Sequence, residues 1–179
     1  MDRAEIEAKL NVDRAWLLDT YFAMPADELV RGVTASEHDP TVMWSPKDHL
    51  AHLAGLEKNF NAMIRRHFAG ESNPVGLAKD PDGQPRTRDQ IMASVHQMTE
   101  AWVLVQRAKS LSEVVALGQS IRAETLALMA ELTDAQLAEK LPGAPWADGT
   151  VGGVVAVNAD HGRMHWKWIK DGRAALDSG

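Results

Sequence analysis

The chain of 179 residues contains no cysteine, and this absence excludes three kinds of protein at once. Disulfide-stabilised scaffolds, zinc sites built from thiolates and enzymes with a cysteine nucleophile all need the missing side chain. A protein without cysteine is also compatible with a reducing compartment.

The sequence also lacks an apolar run long enough to cross a bilayer, and its first residues lack the basic and then apolar pattern of a signal peptide. Positive charge is not in excess, because 19 Lys and Arg face 25 Asp and Glu and the formal net charge is -6. We therefore expect a cytoplasmic protein with a small-molecule partner, and neither a nucleic acid nor a membrane as partner.

What the sequence does contain is helical periodicity, with apolar residues recurring at three- and four-residue steps in five segments. These segments cover about 3–24, 46–70, 88–109, 111–132 and 151–170. The last four follow Ser45, Thr87, Ser110 and Thr150, whose hydroxyls are suited to capping a helix. The third and fourth segments count either as two helices or as one kinked helix.

No segment alternates strictly over the length of a strand. The β-branched run Val151–Val157 is diluted by two glycines and follows a helix cap, and residues 30–43 form an irregular connection with at most one helical turn. The sequence therefore predicts an all-α fold in one domain over residues 1–179. An antiparallel four-helix bundle, with room for a fifth helix, is the most economical architecture.

Two of the seven histidines, His161 and His165, are four residues apart on the last predicted helix. At this spacing two side chains lie on the same helix face and can bind one metal ion. Such a pair also arises by chance in a chain with this many histidines, as two partly buried or surface side chains.

His52 on the second predicted helix strengthens the metal hypothesis, because it falls on the apolar stripe with Leu56 and Phe60. Three neutral ring nitrogens from two helices leave coordination positions for water or substrate, which is typical of catalytic metal sites. Without a metal, each buried ring nitrogen that lacks a partner would cost about 1–3 kcal/mol. The candidate metal ligands are therefore His52, His161 and His165.

Two neighbours of His52 have open roles. His49 is three residues before it, toward the edge of the helix, and is the rival ligand. Asp48 either accepts a hydrogen bond from the imidazole of His52 or caps the helix. The remaining histidines lack partners at ligand spacing and are expected at the surface or in an interface: His38, His67 and His96.

Other enzyme signatures are absent. There is no Gly-rich phosphate loop and no G-x-S-x-G elbow, and Gly162, Arg163 and Met164 between the terminal histidines supply no glutamate base. Four tryptophans either line a pocket or pack in the core: Trp44, Trp146, Trp166 and Trp168. Three cations either attract an acidic thiol or lie on solvated faces: Lys58, Arg65 and Arg163.

Three stretches resemble the DinB/YfiT-like superfamily of metal-binding four-helix bundles. They are Trp44-Ser-Pro-Lys-Asp-His-Leu-Ala-His52-Leu-Ala-Gly, Thr150-Val-Gly and His161-x-x-x-His165, and the resemblance extends to about Ile169. It implies an up-down-down-up bundle that often forms a homodimer. It also implies that the three histidines hold a divalent metal, commonly zinc or nickel.

The resemblance further implies a range of activities. They are S-transfer and isomerisation that use bacillithiol, mycothiol or glutathione, hydrolysis of small molecules, and unassigned reactions. The sequence departs from the family pattern at Trp168, where a glutamine is frequent, and in segment 87–109, whose extra length enlarges either the pocket or a dimer surface.

Our hypothesis is a divalent-metal-dependent enzyme, first of all a low-molecular-weight thiol S-transferase or isomerase for small electrophiles. A metal-dependent hydrolase is the alternative within the same site. The alternative from another class is a non-catalytic bundle that binds or sequesters a small molecule.

Overall fold

The computed structural model describes residues 2–80 and 82–178, most of which are helical. In chain order the elements are α1 (Arg3–Phe22), α2 (Ala26–Val30), β1 (Thr34–Ala35), β2 (Met43–Trp44), α3 (Pro46–Phe68), α4 (Arg88–Gln106), α5 (Leu111–Glu131), α6 (Asp134–Ala138) and α7 (Val151–Asp177). The two short strands pair antiparallel with Thr34 opposite Trp44. The predicted all-α fold is confirmed, with one two-stranded hairpin added to it.

The predicted helix caps are present. Ser45, Thr87 and Ser110 each accept a hydrogen bond from the third backbone N–H of the following helix, and the side chain at that position bonds back to the cap. The Thr150 side chain accepts a hydrogen bond from the backbone N–H of Gly153 at the start of α7. These bonds satisfy backbone donors that a helix end leaves free, and they fix where each helix begins.

Helices α3 and α5 run parallel to each other. Glu57 pairs with Arg122 in the middle of the two helices, and Arg65 pairs with Glu131 at their C-terminal ends. Because α3 and α5 point the same way, the chain between them must return to the end where α3 begins, and α4 is that connection. Helix α4 packs along α3, and the carbonyl of Arg107, just after α4, accepts a hydrogen bond from the side chain at the start of α3.

Helices α1 and α7 run parallel to each other and antiparallel to α3. Gly152 at the start of α7 packs against Ile6, and farther along the ring centroids of Tyr21 and Trp166 are 5.9 Å apart. The order α1, α3, α5 and α7 is therefore up, down, down and up, as the family resemblance implies. The fifth long helix, α4, is the crossover.

The buried apolar side chains form two clusters with the histidines of α3 and α7 between them along these helices. One cluster contains Phe60, Met129 and Val154, and the other contains Tyr21 and Ile169. Each such side chain stabilises the fold by roughly 1.5–3 kcal/mol relative to exposure. The two clusters hold α3 and α7 in fixed register on both sides of the histidines.

Three features differ from the sequence predictions. Helices α4 and α5 are separate and point in opposite directions, so the single kinked helix is wrong; a new cap at Ser110 starts α5. Helix α7 continues to Asp177, beyond the predicted end near Lys170. Part of the predicted irregular connection over 30–43 forms the β1–β2 hairpin.

No helix within 2–80 and 82–178 combines the length and apolarity that a membrane crossing requires.

Candidate metal centre and its cavity

The structure brings together His52 from α3 with His161 and His165 from α7. The Nε2 atom of His161 lies 3.4 Å from Nε2 of His52 and 3.0 Å from Nε2 of His165. One ring nitrogen from each of the three residues lies within 4.8 Å of the other two. The helical spacing places two of the nitrogens on one face of α7, and the antiparallel packing of α3 supplies the third.

Burial keeps these imidazoles neutral. It lowers the pKa of His52 to about 3 and that of His161 to about 4, and it holds the pKa of His165 well below its usual value. The neighbouring imidazoles lower the pKa values of His52 and His165 further, because a second positive charge so close would be repelled. A neutral ring is the form that binds a metal ion.

His49, the rival ligand of the sequence analysis, contacts the cluster through His165. Its Nδ1 atom lies 2.7 Å from Nδ1 of His165, and its Nε2 atom lies 2.7 Å from Oγ1 of Thr34. The ring is buried, and burial lowers its pKa to about 4. The sequence contains no signal for this contact, since the three residues lie on different elements.

Asp48 caps α3 and does not contact the imidazole of His52. Its Oδ2 atom accepts a hydrogen bond from the backbone N–H of Ser45 at 2.9 Å and one from Arg107 at 3.1 Å. Of the two roles left open for Asp48, the structure shows the cap, and it adds an ion pair that ties the end of α4 to the start of α3.

The histidines form part of the wall of a cavity of about 640 Å³. Most of the remaining wall is apolar, and its larger side chains are Trp44, Leu56, Met92, Val95, Trp146, Val157, Met164 and Trp168. Three of the four candidate pocket tryptophans therefore line the cavity, whereas Trp166 packs against Tyr21. Trp168 lies with its ring centroid 4.7 Å from that of His165, so the residue that departs from the family pattern lies beside the cluster.

The β1–β2 hairpin, the residues that follow β1, and α4 form another part of the cavity wall. His96 of α4 and Glu37 beyond β1 both line it, and their Nε2 and Oε2 atoms are 3.3 Å apart. His38 lines the cavity too. Two of the histidines expected at the surface or in an interface therefore face the cavity. Segment 87–109 therefore contributes to the pocket wall through α4.

The cavity lining carries acidic but no basic aliphatic side chains. Glu37 and Asp171 are among the described lining residues, and no lysine or arginine is. The three candidate cations for an acidic thiol lie elsewhere, each beside another partner: Lys58 over Trp102, Arg65 beside Glu131 and Arg163 beside Asp13. None of the three is therefore among the described residues of the cavity wall, and attraction of an acidic thiol stays a prediction.

Comparison with known proteins identifies the fold and the family. The crystal structure of an uncharacterised protein from Escherichia coli UTI89 is similar, with a TM-score of 0.58 and 20% identity over 96% of this chain and 95% of that one. No curated protein matches the chain. The model of the DinB superfamily matches residues 27–169, which is most of the sequence. This match contains all three histidines of the cluster. The chain belongs to the DinB superfamily.

Proposed function

We propose that this protein is a divalent-metal-dependent enzyme for small, largely apolar molecules, with His52, His161 and His165 as the metal ligands. The observation that supports this most is the convergence of three neutral imidazole nitrogens within 4.8 Å in the wall of a large cavity. Zinc and nickel are the expected ions, because imidazole is a good ligand for both.

The donor set fits a catalytic rather than a structural ion. A structural zinc site has four protein ligands, whereas among the described residues only three metal-binding side chains converge here. All three line the cavity, so a remaining coordination position is accessible to a ligand. When bound, the ion would act as a Lewis acid and lower the pKa of a thiol or a water molecule.

The side chains of the cavity select the other reactant. Trp44, Trp146 and Trp168 exclude water and offer large apolar faces to an electrophilic substrate. Because no lysine or arginine lines the described wall, the cavity favours a neutral thiol or a water nucleophile over a strongly acidic thiol. S-transfer or isomerisation with a low-molecular-weight thiol is the first reaction to test, and hydrolysis is the second.

The tryptophan-lined cavity also supports a second candidate function, which is sequestration of a small apolar compound without catalysis. The two candidates differ in their need for metal. A sequestering bundle would show tryptophan quenching by its ligand that survives exhaustive chelation, whereas turnover by the enzyme would stop.

Metal content is the first measurement. Untagged protein purified without chelator is incubated with zinc or nickel, dialysed and analysed by plasma mass spectrometry. We expect near-stoichiometric metal in the native protein and none in His52→Ala or in the His161→Ala, His165→Ala double variant, since two ligands or one bind weakly. Circular dichroism should show unchanged helicity.

His67→Ala is the matched control, because His67 is also on α3 but lies beside Glu139, with 3.4 Å between Nε2 and Oε2. It should keep the full metal content. Full metal content in His52→Ala would contradict the ligand assignment, and no metal in the native protein would favour the sequestering bundle.

A further inference from the structure

His165 has a close nitrogen partner at each of its two ring nitrogens. Its Nε2 atom faces the three-histidine cluster, 3.0 Å from Nε2 of His161. Its Nδ1 atom points the other way and lies 2.7 Å from Nδ1 of His49. His165 as a whole is 3% exposed, so water offers little competition for either nitrogen.

These contacts determine where the protons must be if Nε2 of His165 offers its lone pair to the cluster. A neutral imidazole carries one N–H and one acceptor nitrogen, so the proton of His165 is then on Nδ1 and is donated to Nδ1 of His49. His49 in turn carries its proton on Nε2 and donates it to Oγ1 of Thr34, 2.7 Å away. One direction of hydrogen bonding satisfies all four contacting atoms.

We propose that His49 and Thr34 are positioning residues for the three-histidine centre. Together they hold His165 as the Nδ1–H tautomer, with Nε2 free and aimed at His52 and His161. Where a metal ligand donates its second N–H to a partner, that partner fixes the tautomer and ring orientation and increases the ligand's basicity. The metal part of this inference rests on the proposed function, whereas the tautomer part does not.

The surroundings of His49 hold its ring in place for this role. His49 is 2% exposed, and its ring lies edge-on to Trp44, with 5.4 Å between the ring centroids. Thr34 and Trp44 face each other in the β1–β2 hairpin. The hairpin therefore supplies both the acceptor for His49 and the indole that packs against it.

The hairpin is itself docked on α7. A Cβ atom at Gly172 would collide with the carbonyl of Val33, so only glycine at this position lets the start of β1 lie so close to the helix. Because α7 also carries His165, the position of Thr34 is tied to the helix that presents the ligand. The contacts therefore run from His165 to His49, from His49 to Thr34, and from the residue before Thr34 back to α7.

The tautomer is tested in metal-free protein with ¹⁵N-labelled histidine and long-range ¹H–¹⁵N spectra. We expect His165 as the Nδ1–H tautomer in the native protein, and a mixture or the Nε2–H tautomer in His49→Ala. His49→Gln keeps an acceptor oxygen near Nδ1 and should retain much of the native signature. His96→Ala, which removes another histidine of the same cavity, should leave it unchanged.

The positioning role is tested by competing zinc or cobalt against a chelator. We expect His49→Ala to weaken the metal affinity by about 10- to 100-fold. Thr34→Val should cause a smaller loss, and Thr34→Ser, which keeps the hydroxyl, almost none. The cobalt absorption bands of His49→Ala should still report three nitrogen ligands.

Two outcomes would overturn the proposal, and a third would separate it from the proposed function. A complete loss of metal in His49→Ala, equal to that in His52→Ala, would make His49 a direct ligand. Equal behaviour of His49→Ala and His49→Gln in both measurements would reduce His49 to a packing residue. If the native protein showed His165 as the Nδ1–H tautomer but bound no metal, the proposed function and the metal part of this inference would be refuted. The tautomer assignment would stand.

Discussion

At the scale of single residues, Glu57 and Arg122 form a buried ion pair away from the histidines. Their Oε1 and Nε atoms are 2.6 Å apart, and their side chains are only 5% and 10% exposed. Thr125 donates a hydrogen bond to the carboxylate, and Arg122 donates another to the carbonyl of Leu10. The pair therefore links α3, α5 and α1.

Removing one partner should cost far more than removing both. Arg122→Met leaves the carboxylate of Glu57 buried without its counter-charge, so we expect the free energy of unfolding to fall by about 3–5 kcal/mol. The Glu57→Met, Arg122→Met double variant should recover much of that loss, because neither charge of the pair then remains. Urea denaturation followed by circular dichroism measures both. Equal losses in the single and double variants would show that packing, not charge, dominates.

Residue spacing in the sequence was enough to predict which histidines come together, but not how they are supported. His161 and His165 follow from the four-residue spacing, and His52 follows from its place on an apolar stripe. The contact of His49 with His165 depends on the relative rotation of two helices whose residues are 116 positions apart. No local pattern encodes that rotation.

At the scale of elements, the crossover helix α4 is attached to α3 through Trp102 and Gly55. Trp102 donates its Nε1–H to the carbonyl of Ala51 at 2.7 Å, and its ring lies directly over Gly55. A Cβ atom at Gly55 would be 2.5 Å from Nε1 of the indole, closer than atoms can approach. The indole of Trp102 therefore occupies the space that a side chain at position 55 would fill.

Gly55→Ala should displace the indole and loosen α4, although alanine by itself favours a helix by roughly 0.5–1 kcal/mol. We expect lower stability and faster hydrogen exchange in α4 than in the native protein. In a Trp102→Ala background the same substitution should become neutral or stabilising, because the space is then open. A loss that persists unchanged in that background would place the clash elsewhere.

Helix starts were predictable because each is encoded by a few adjacent residues. Ser45, Thr87, Ser110 and Thr150 all cap the helices that follow them. The directions of α4 and α5 and the two-residue strands were not predictable, since they depend on packing against distant segments and have almost no local signal. Helix ends were harder to predict than starts, since α7 continues through Gly172 to Asp177.

At the scale of the whole molecule, the family resemblance predicted the directions of the four bundle helices. Hydrophobic periodicity predicted the helices themselves but not how they are arranged in space. The parallel course of α3 and α5 makes a crossover necessary, and α4 both meets that need and forms one wall of the cavity. The single domain and the homodimer stay predictions. Sedimentation of the untagged protein would test the dimer.

Metal binding should couple the two helices of the site and so stabilise the entire fold. An ion that binds only the folded state raises the free energy of unfolding by about 2.7 kcal/mol when its free concentration is 100 times its dissociation constant. For a protein of this size that corresponds to a rise in Tm of about 5–10 °C. Differential scanning fluorimetry with zinc or nickel measures it.

The same measurement on the His161→Ala, His165→Ala double variant separates this site from adventitious binding. We expect no rise in Tm for the variant, and a rise in the native protein that a chelator reverses. An equal rise in both proteins would mean that the ion binds outside the cluster. Because the proposed ligands are one residue of α3 and two of α7, a rise in Tm that this variant loses would support a metal site on α7, and the same loss in His52→Ala would extend the site to α3 and so to the packing of the two helices.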